Sequence, residues 1–304
     1  MNSVKSPPQG QEALTQSVVG GDAAEAAIGW LHRALINLAL WLRIVTRAPR
    51  AELPRPTAIA HVAIIVTLAV VVGSMFCFDT AASDWARGLP SWFEGVFEQV
   101  TNLGLSGWFL IPFGCIVLGL AALTSPALSR AAQGVIVALA VRFGFLFLAI
   151  GAPGLFVTIV KRLIGRARPY VGGHDDPFAY LPFAWRPEYA SMPSGHATTA
   201  ASAAIAIGAI WPATRPIMWL YALVIMFSRV VVHAHHPSDV FAGALVGVVG
   251  ALLVRRWFAA RRLVFSPVDL KTLPGPSPKR IRAAIREIAL GVPLPTPDAK
   301  SAPD

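Results

Sequence analysis

Three clusters of chemistry-bearing residues fall between positions 161 and 239. The first is Lys161-Arg-Leu-Ile-Gly-Arg-Ala-Arg168-Pro169. Lys161 and Arg168 are seven apart, two helical turns, so they share a face. Two cations on one face at the end of an apolar segment make an anion site, or a snorkelling basic collar at a membrane edge. The second is Met192-Pro193-Ser194-Gly195-His196. Ser194 is a natural N-cap, and Gly195 lets an oxyanion approach backbone N–H groups that already favour phosphate at a helix start. His196 sits in the first turn, at whatever binds there; the simpler reading is a capped helix with an interfacial histidine. The third is Ser228-Arg229, followed by His233, His235, His236, Pro237, Ser238 and Asp239. If a helix begins near Pro237, Asp239 can hold the imidazole of His235, the orienting pair of a nucleophile or general base. A His-rich zinc site is the rival, but no further carboxylate lies nearby in sequence and the cations would repel a metal ion. Together the clusters supply phosphate clamps, an acid and an oriented nucleophile, a set suited to phosphoryl transfer without metal.

The order Lys161-x6-Arg168-Pro169, Pro193-Ser-Gly-His196, Ser228-Arg229-x5-His235-x3-Asp239 resembles the tripartite signature of the type 2 phosphatidic acid phosphatase superfamily. The match covers residues 161–239. It selects His235 among the late histidines and leaves His233 and His236 as bystanders. Arg162 and Arg166 fall outside the signature and read as headgroup or collar charges. The resemblance implies that His235 attacks phosphorus, that Asp239 fixes its tautomer, and that His196 protonates the leaving oxygen and then activates water. It implies that Lys161, Arg168, Arg229, Ser194 and the Gly195 backbone hold the phosphate oxygens. No metal or other cofactor is implied, and the partners are a lipid phosphate and membrane lipids, with no obligate protein partner. Phe97-x3-Thr101-x2-Gly104 also resembles bacterial members, without a chemical role of its own. The resemblance implies a lipid phosphate phosphatase of a bacterial inner membrane. Its substrate would be undecaprenyl diphosphate, a lipid A phosphate, phosphatidic acid or phosphatidylglycerol phosphate. The alternatives are a lipid phosphotransferase and a non-catalytic anionic-lipid binder; an oriented His235–Asp239 pair argues against the last.

Such a site needs a scaffold, and the composition says which. Of 304 residues, 55% are hydrophobic and only 14% charged. Soluble domains carry about 25% charged residues, so the chain is an integral membrane protein. Its net charge of +10 belongs to cytoplasmic flanks and anionic headgroups rather than nucleic acid. Cys77 and Cys115 lie in apolar runs with no ligand spacing and read as free thiols. The first 25 residues lack the apolar core of a signal peptide. Six apolar segments follow, at 57–78, 107–123, 133–160, 196–211, 216–232 and 240–257, each near the ~20 residues that cross a bilayer. The expected fold is an all-α polytopic membrane bundle of six transmembrane helices. An amphipathic N-terminal helix at 24–45 lies on the surface or spans, behind a disordered start at 1–21. An outer interfacial helix within 79–106 carries a stripe from Trp85 to Val100. Three parts are expected: an N-terminal cytoplasmic arm (1–56), a phosphatase domain (57–257) and a basic, Pro-rich tail (258–304) read as a membrane-surface segment or disordered arm.

With both termini cytoplasmic, eighteen Lys and Arg lie inside and seven outside, as the positive-inside rule requires. Segments 161–194 and 230–238 then face the periplasm or exterior. A reporter fused after Asp304 is expected to be cytoplasmic and one inserted near Gly173 external. Finding both on one side of the membrane would break this topology.

Overall fold

The computed structural model describes residues 9–290, with side chains from Ile28 onward. Ten α-helices make up the described chain: α1 (Gln9–Thr46), α2 (Ala58–Cys77), α3 (Asp79–Arg87), α4 (Ser91–Asn102), α5 (Gly107–Leu123), α6 (Arg130–Ile164), α7 (Gly195–Ile210), α8 (Arg215–Val231), α9 (Pro237–Ala260) and α10 (Pro278–Leu290). Among the described residues the only β pairings are two isolated bridges, Arg166–Tyr180 and Phe265–Thr272. The all-α membrane architecture read from the sequence is therefore the one observed.

Six helical stretches are long and apolar enough to cross a membrane. They are not the six that the apolar runs select. Residues 28–46 of α1 qualify, as do α2, the stretch 91–123, α6, 212–231 and α9. The apolar α7, at 16 residues, is shorter than these six, and it is enclosed by other helices rather than by lipid. Its composition explains its place: Ala197, Ala200, Ala201, Ala203 and Ala206 are all fully enclosed. α2 is the opposite case, with Ile59, Ile65 and Val66 turned outward, as a lipid-facing helix requires. Three local expectations change. α1 begins at Gln9, inside the start expected to be disordered, running through the helix formers Gln11, Glu12, Ala13 and Leu14. The interfacial helix is two, α3 and α4, broken at Gly88-Leu89-Pro90. The basic tail is not a free arm between 263 and 272. Leu263, Val264 and Phe265 are buried, with the Phe265 ring 4.7 Å from that of Phe145, an apolar triplet that the surrounding arginines obscure in sequence. The end of the tail, 291–304, lies outside the described residues.

The chain forms two compact units. One comprises the residues up to Thr46, Val117–Ala140 and those from Pro276. There Asn37 donates to the Ala121 and Thr124 carbonyls at 2.8 and 3.0 Å. α10 docks through Glu287, which accepts from the Ser129 amide and hydroxyl, beside a cluster of Ala132, Val135 and Ala284.

The other unit, Arg47–Ile116 with Val141–Gly275, contains every residue of the three sequence clusters. In it α7 packs against α8 and α9, α2 against α9, and α4 against α8. The α7–α9 approach depends on Gly243 and Gly247. A Cβ on either would lie 2.4 Å from a carbonyl oxygen at the start of α7, that of the N-cap Ser194 or of Thr198 respectively. This four-residue spacing of glycines is how membrane helices bring backbones together. The Thr198 hydroxyl lies 3.0 Å from the Gly243 carbonyl, and the Ser194 amide donates to the Asp239 carbonyl at 2.9 Å. The N-termini of α7 and α9 are thereby held side by side. Gly243→Ala is expected to lower the unfolding temperature in detergent, at the cost of an overpacked contact, ~1–3 kcal/mol. Gly119→Ala, where nothing lies within 4 Å of the new methyl, should not. Equal stability of the two variants would contradict this packing.

Candidate active site

His235 and Asp239 open α9 from opposite sides of Pro237. The imidazole Nδ1 stands 3.8 Å from Asp239 Oδ2. Ser191 bridges that gap: its hydroxyl donates to Oδ2 at 2.6 Å and lies 3.4 Å from Nδ1. Nδ1 thus faces acceptors, which places the ring proton there and leaves the Nε2 lone pair for chemistry. Asp239 is fully buried, and its Oδ2 also accepts the His236 amide at 2.9 Å, capping the helix. Its Oδ1 accepts from Arg166 at 2.6 Å.

Arg166 is the largest fully buried side chain among the described residues. The sequence gives it as a collar charge. Instead it bonds Asp239, the Ser238 hydroxyl, the Pro177 carbonyl and, at 2.8 Å, Asp79. His236, read as a bystander, is also buried, with Nε2 3.0 Å from Asp175. Burial pulls its imidazole down, but hydrogen bonds and charge from Asp239 and Asp175 outweigh that and leave it raised. His233 does lie apart, 3.8 Å from Glu94.

The signature cations differ from Arg166. Lys161, Arg168 and Arg229 have no carboxylate at salt-bridge distance among the described residues. The Nε atoms of Arg168 and Arg229 are buried donors without a partner. Arg229 is steadied through Nη1 by Thr101, which also accepts from Ser228 at 3.1 Å. The charges of Arg229, His235, Lys161 and Arg168 all bear on His196, so the three clusters do converge. Ser194 caps α7 through Ala197 N at 3.5 Å, leaving the Gly195 and His196 amides, the first two of the helix, without intrahelical partners. Gly104 fits against the His196 ring: a Cβ there would come within 2.9 Å of Cδ2. His196 and Lys161 line a cavity of about 360 Å³, whose walls also include Leu105, Leu110, Gly151, Gly154 and Leu155.

The PAP2 superfamily profile matches residues 142–263. A lipid A 1-phosphatase from Rhizobium johnstonii is 31% identical over 229 residues, which is 75% of this chain and 92% of that protein. The chain belongs to the PAP2 superfamily. A second lipid A 1-phosphatase, from Rhizobium etli, is 31% identical over 66% of this chain and 86% of its own length. A solved structure, the PAP2-type phosphatidylglycerolphosphate phosphatase of Bacillus subtilis, is 22% identical over 64% of this chain and 93% of its own, with a TM-score of 0.42.

In this PAP2 protein the residues that sequence reading missed are Asp79, Thr101, Gly104, Arg166 and Ser191. Thr101 and Gly104 stand in the one stretch that resembled the family without a chemical role; the other three carried no spacing signal. Burial, aided by Arg229 and Arg168, pushes the His235 imidazole down to about 4 against the opposing pull of Asp239. His235 is therefore expected to be neutral across pH 5–8 and to lose its Nε2 lone pair as pH falls through about 4. Nitrogen NMR of labelled histidine, assigned with His235→Gln, checks this; a midpoint above the ordinary ~6.5 would contradict it.

Proposed function

We propose that this membrane phosphatase hydrolyses a lipid phosphate through a phosphohistidine on His235. The observation that carries the reading is the pair of buried, unpartnered guanidinium Nε donors, Arg168 and Arg229, beside an imidazole whose Nδ1 faces Ser191 and Asp239. Buried donors cost free energy when unmade, and a phosphate oxygen would satisfy both. In the first step His235 Nε2 attacks phosphorus and the bond from phosphorus to the lipid oxygen breaks. His196 gives that oxygen its proton. Asp239 supports the positive charge on the phosphorylated ring. In the second step His196 takes a proton from water, the water oxygen attacks phosphorus, and the N–P bond breaks to release inorganic phosphate and His235. Lys161, Arg168, Arg229 and the amides at Gly195 hold the phosphate oxygens, with Ser194 shaping that helix start. Donors fixed in advance where charge develops are worth most in a water-poor site.

The apolar walls of the cavity next to His196 and Lys161 suit a substrate that keeps its hydrocarbon in the bilayer. Relatives that span most of their own length against this chain are lipid A 1-phosphatases, so a lipid A 1-phosphate is the first substrate to test. Undecaprenyl diphosphate, phosphatidic acid and phosphatidylglycerol phosphate follow. The charge bias of the loops supports an inner-membrane protein whose site faces the periplasm. If residues 28–46 span, the side on which α2 begins is unchanged, because Arg47, Arg50 and Arg55 still mark it as inner.

The test is phosphate release by purified protein in detergent from these four lipids, with EDTA present. Release from at least one is expected, since the reading uses cations of the chain itself and no metal. His235→Ala should abolish turnover and the acid-labile phosphoenzyme. His233→Ala should retain most activity. General-acid loss in His196→Ala should slow a lipid monophosphate by ~10²–10⁴-fold. Turnover that vanishes in EDTA and returns with a divalent ion, or a phosphoenzyme label on a residue other than His235, would overturn the mechanism.

A further inference from the structure

We propose that Arg166, anchored by Asp79, is a positioning residue that fixes the Asp239 carboxylate against the His235 imidazole. The inference rests on the reading of His235 as nucleophile. It concerns groups that lie outside the signature: Arg166 is one of the six residues between Lys161 and Arg168, and Asp79 opens α3, eighty-seven residues before Arg166.

The geometry divides the work between the two oxygens of Asp239. Oδ1 is taken by Arg166 Nη1 at 2.6 Å. Oδ2 takes Ser191 and the His236 amide and faces His235. A carboxylate held at one oxygen by a rigid guanidinium cannot rotate the other away from the imidazole. Arg166 is itself held on every side. Nη2 binds Asp79 Oδ2 at 2.8 Å, Nη1 also reaches the Ser238 hydroxyl at 2.6 Å, and Nε donates to the Pro177 carbonyl at 2.8 Å. Asp79 in turn accepts the Ser238 amide at 3.0 Å and the Ser74 hydroxyl at 3.2 Å. Asp79, Arg166 and Asp239 are all fully buried.

Charge arithmetic gives the arrangement a purpose beyond packing. Two buried carboxylates and one guanidinium leave one net negative charge. Two adjacent carboxylates could not both stay ionised without the cation between them. One could be neutralised by a proton instead, but a protonated Asp239 would not support a cationic phosphohistidine. Arg166 thus keeps Asp239 ionised, while Asp79 shares the cation so that Asp239 is not wholly neutralised by it. The other titratable groups that face this pair are His236 and Tyr180 on the Asp239 side, Arg229 and His196 on the His235 side, and Arg168, which faces both.

A structural salt bridge and a positioning device predict different things for one double variant. Arg166→Gln alone strands Asp79 as an unpaired buried charge and is expected to be unstable. Arg166→Gln with Asp79→Asn removes both charges and should recover the unfolding temperature. If Arg166 positions Asp239, this double variant still loses ~10–100-fold in kcat, the usual scale for a lost supporting contact. KM changes little, because the phosphate-holding cations are intact. Its His235 titration midpoint, followed by the histidine NMR described above, should rise, since the cation in direct contact with Asp239 is gone. Arg166→Lys keeps the charge but not the fork; it should lose kcat with little change in the midpoint. A stable double variant with unaltered kcat and unaltered midpoint would reduce Arg166 to a structural ion pair and overturn the proposal. The midpoint is read without turnover, so a chain that hydrolyses none of the four lipids yet shows the shift refutes the phosphatase reading alone.

Discussion

Asp239 is a carboxylate fully enclosed by protein, and the second unit is organised around supplying its two oxygens with partners. Three stretches of chain contribute: the α6–α7 loop, with Arg166 near one end and Ser191 near the other, the start of α9, with His235 and the His236 amide, and, at one remove, Asp79 at the α2–α3 junction. An unpaired buried charge would cost several kcal/mol. Each donor is therefore a constraint on where its segment can go. The long loop between α6 and α7 is fixed by this requirement as much as by its own turns, for Arg166 and Ser191 near its two ends both terminate on the same carboxylate.

Packing of the helices supplies the precision those bonds need. α7 buries its own alanines, and glycines at 243 and 247 let α9 lie against it at backbone distance. His196 and Asp239 each stand near the start of one of these two helices, so a small change in their approach would be felt at the phosphate site. The end of α4 and the turn after it carry Thr101 and Gly104, which steady Arg229 and accommodate the His196 ring. Stability and chemistry meet in the same few contacts, whereas the outward faces of α2 and α8 carry apolar side chains without specific partners, as suits a lipid environment.

The cations around the site fall into two kinds that composition alone cannot separate. Arg166 has two carboxylate partners and is spent on the scaffold. Lys161, Arg168 and Arg229 have none among the described residues, and two of them keep buried donors open. A basic cluster of four residues in nine is thus part structural and part available to an anion. The difference lies in which way each side chain points after the α6 helix ends at Ile164.

The sequence by itself determined the membrane class, the helical architecture and the eight signature residues, because hydropathy and local spacing are properties of the chain alone. His235 and Asp239 are four apart, so short-range geometry already relates them; Lys161 and Arg168 do not share the helix face their spacing suggests, because α6 ends at Ile164 and the chain turns at Gly165, with φ +65°. The sequence also misjudged Arg166, His236 and the tail around Phe265. Each looks like a charged or flanking position in one dimension and is enclosed in three. Nothing in a linear pattern could connect Asp79 to Arg166 across eighty-seven positions or Ser191 to Asp239 across forty-eight. Those pairings were decided only by the tertiary structure, since burial removes water as an alternative partner and forces each buried charge to find its donor wherever the fold brings one.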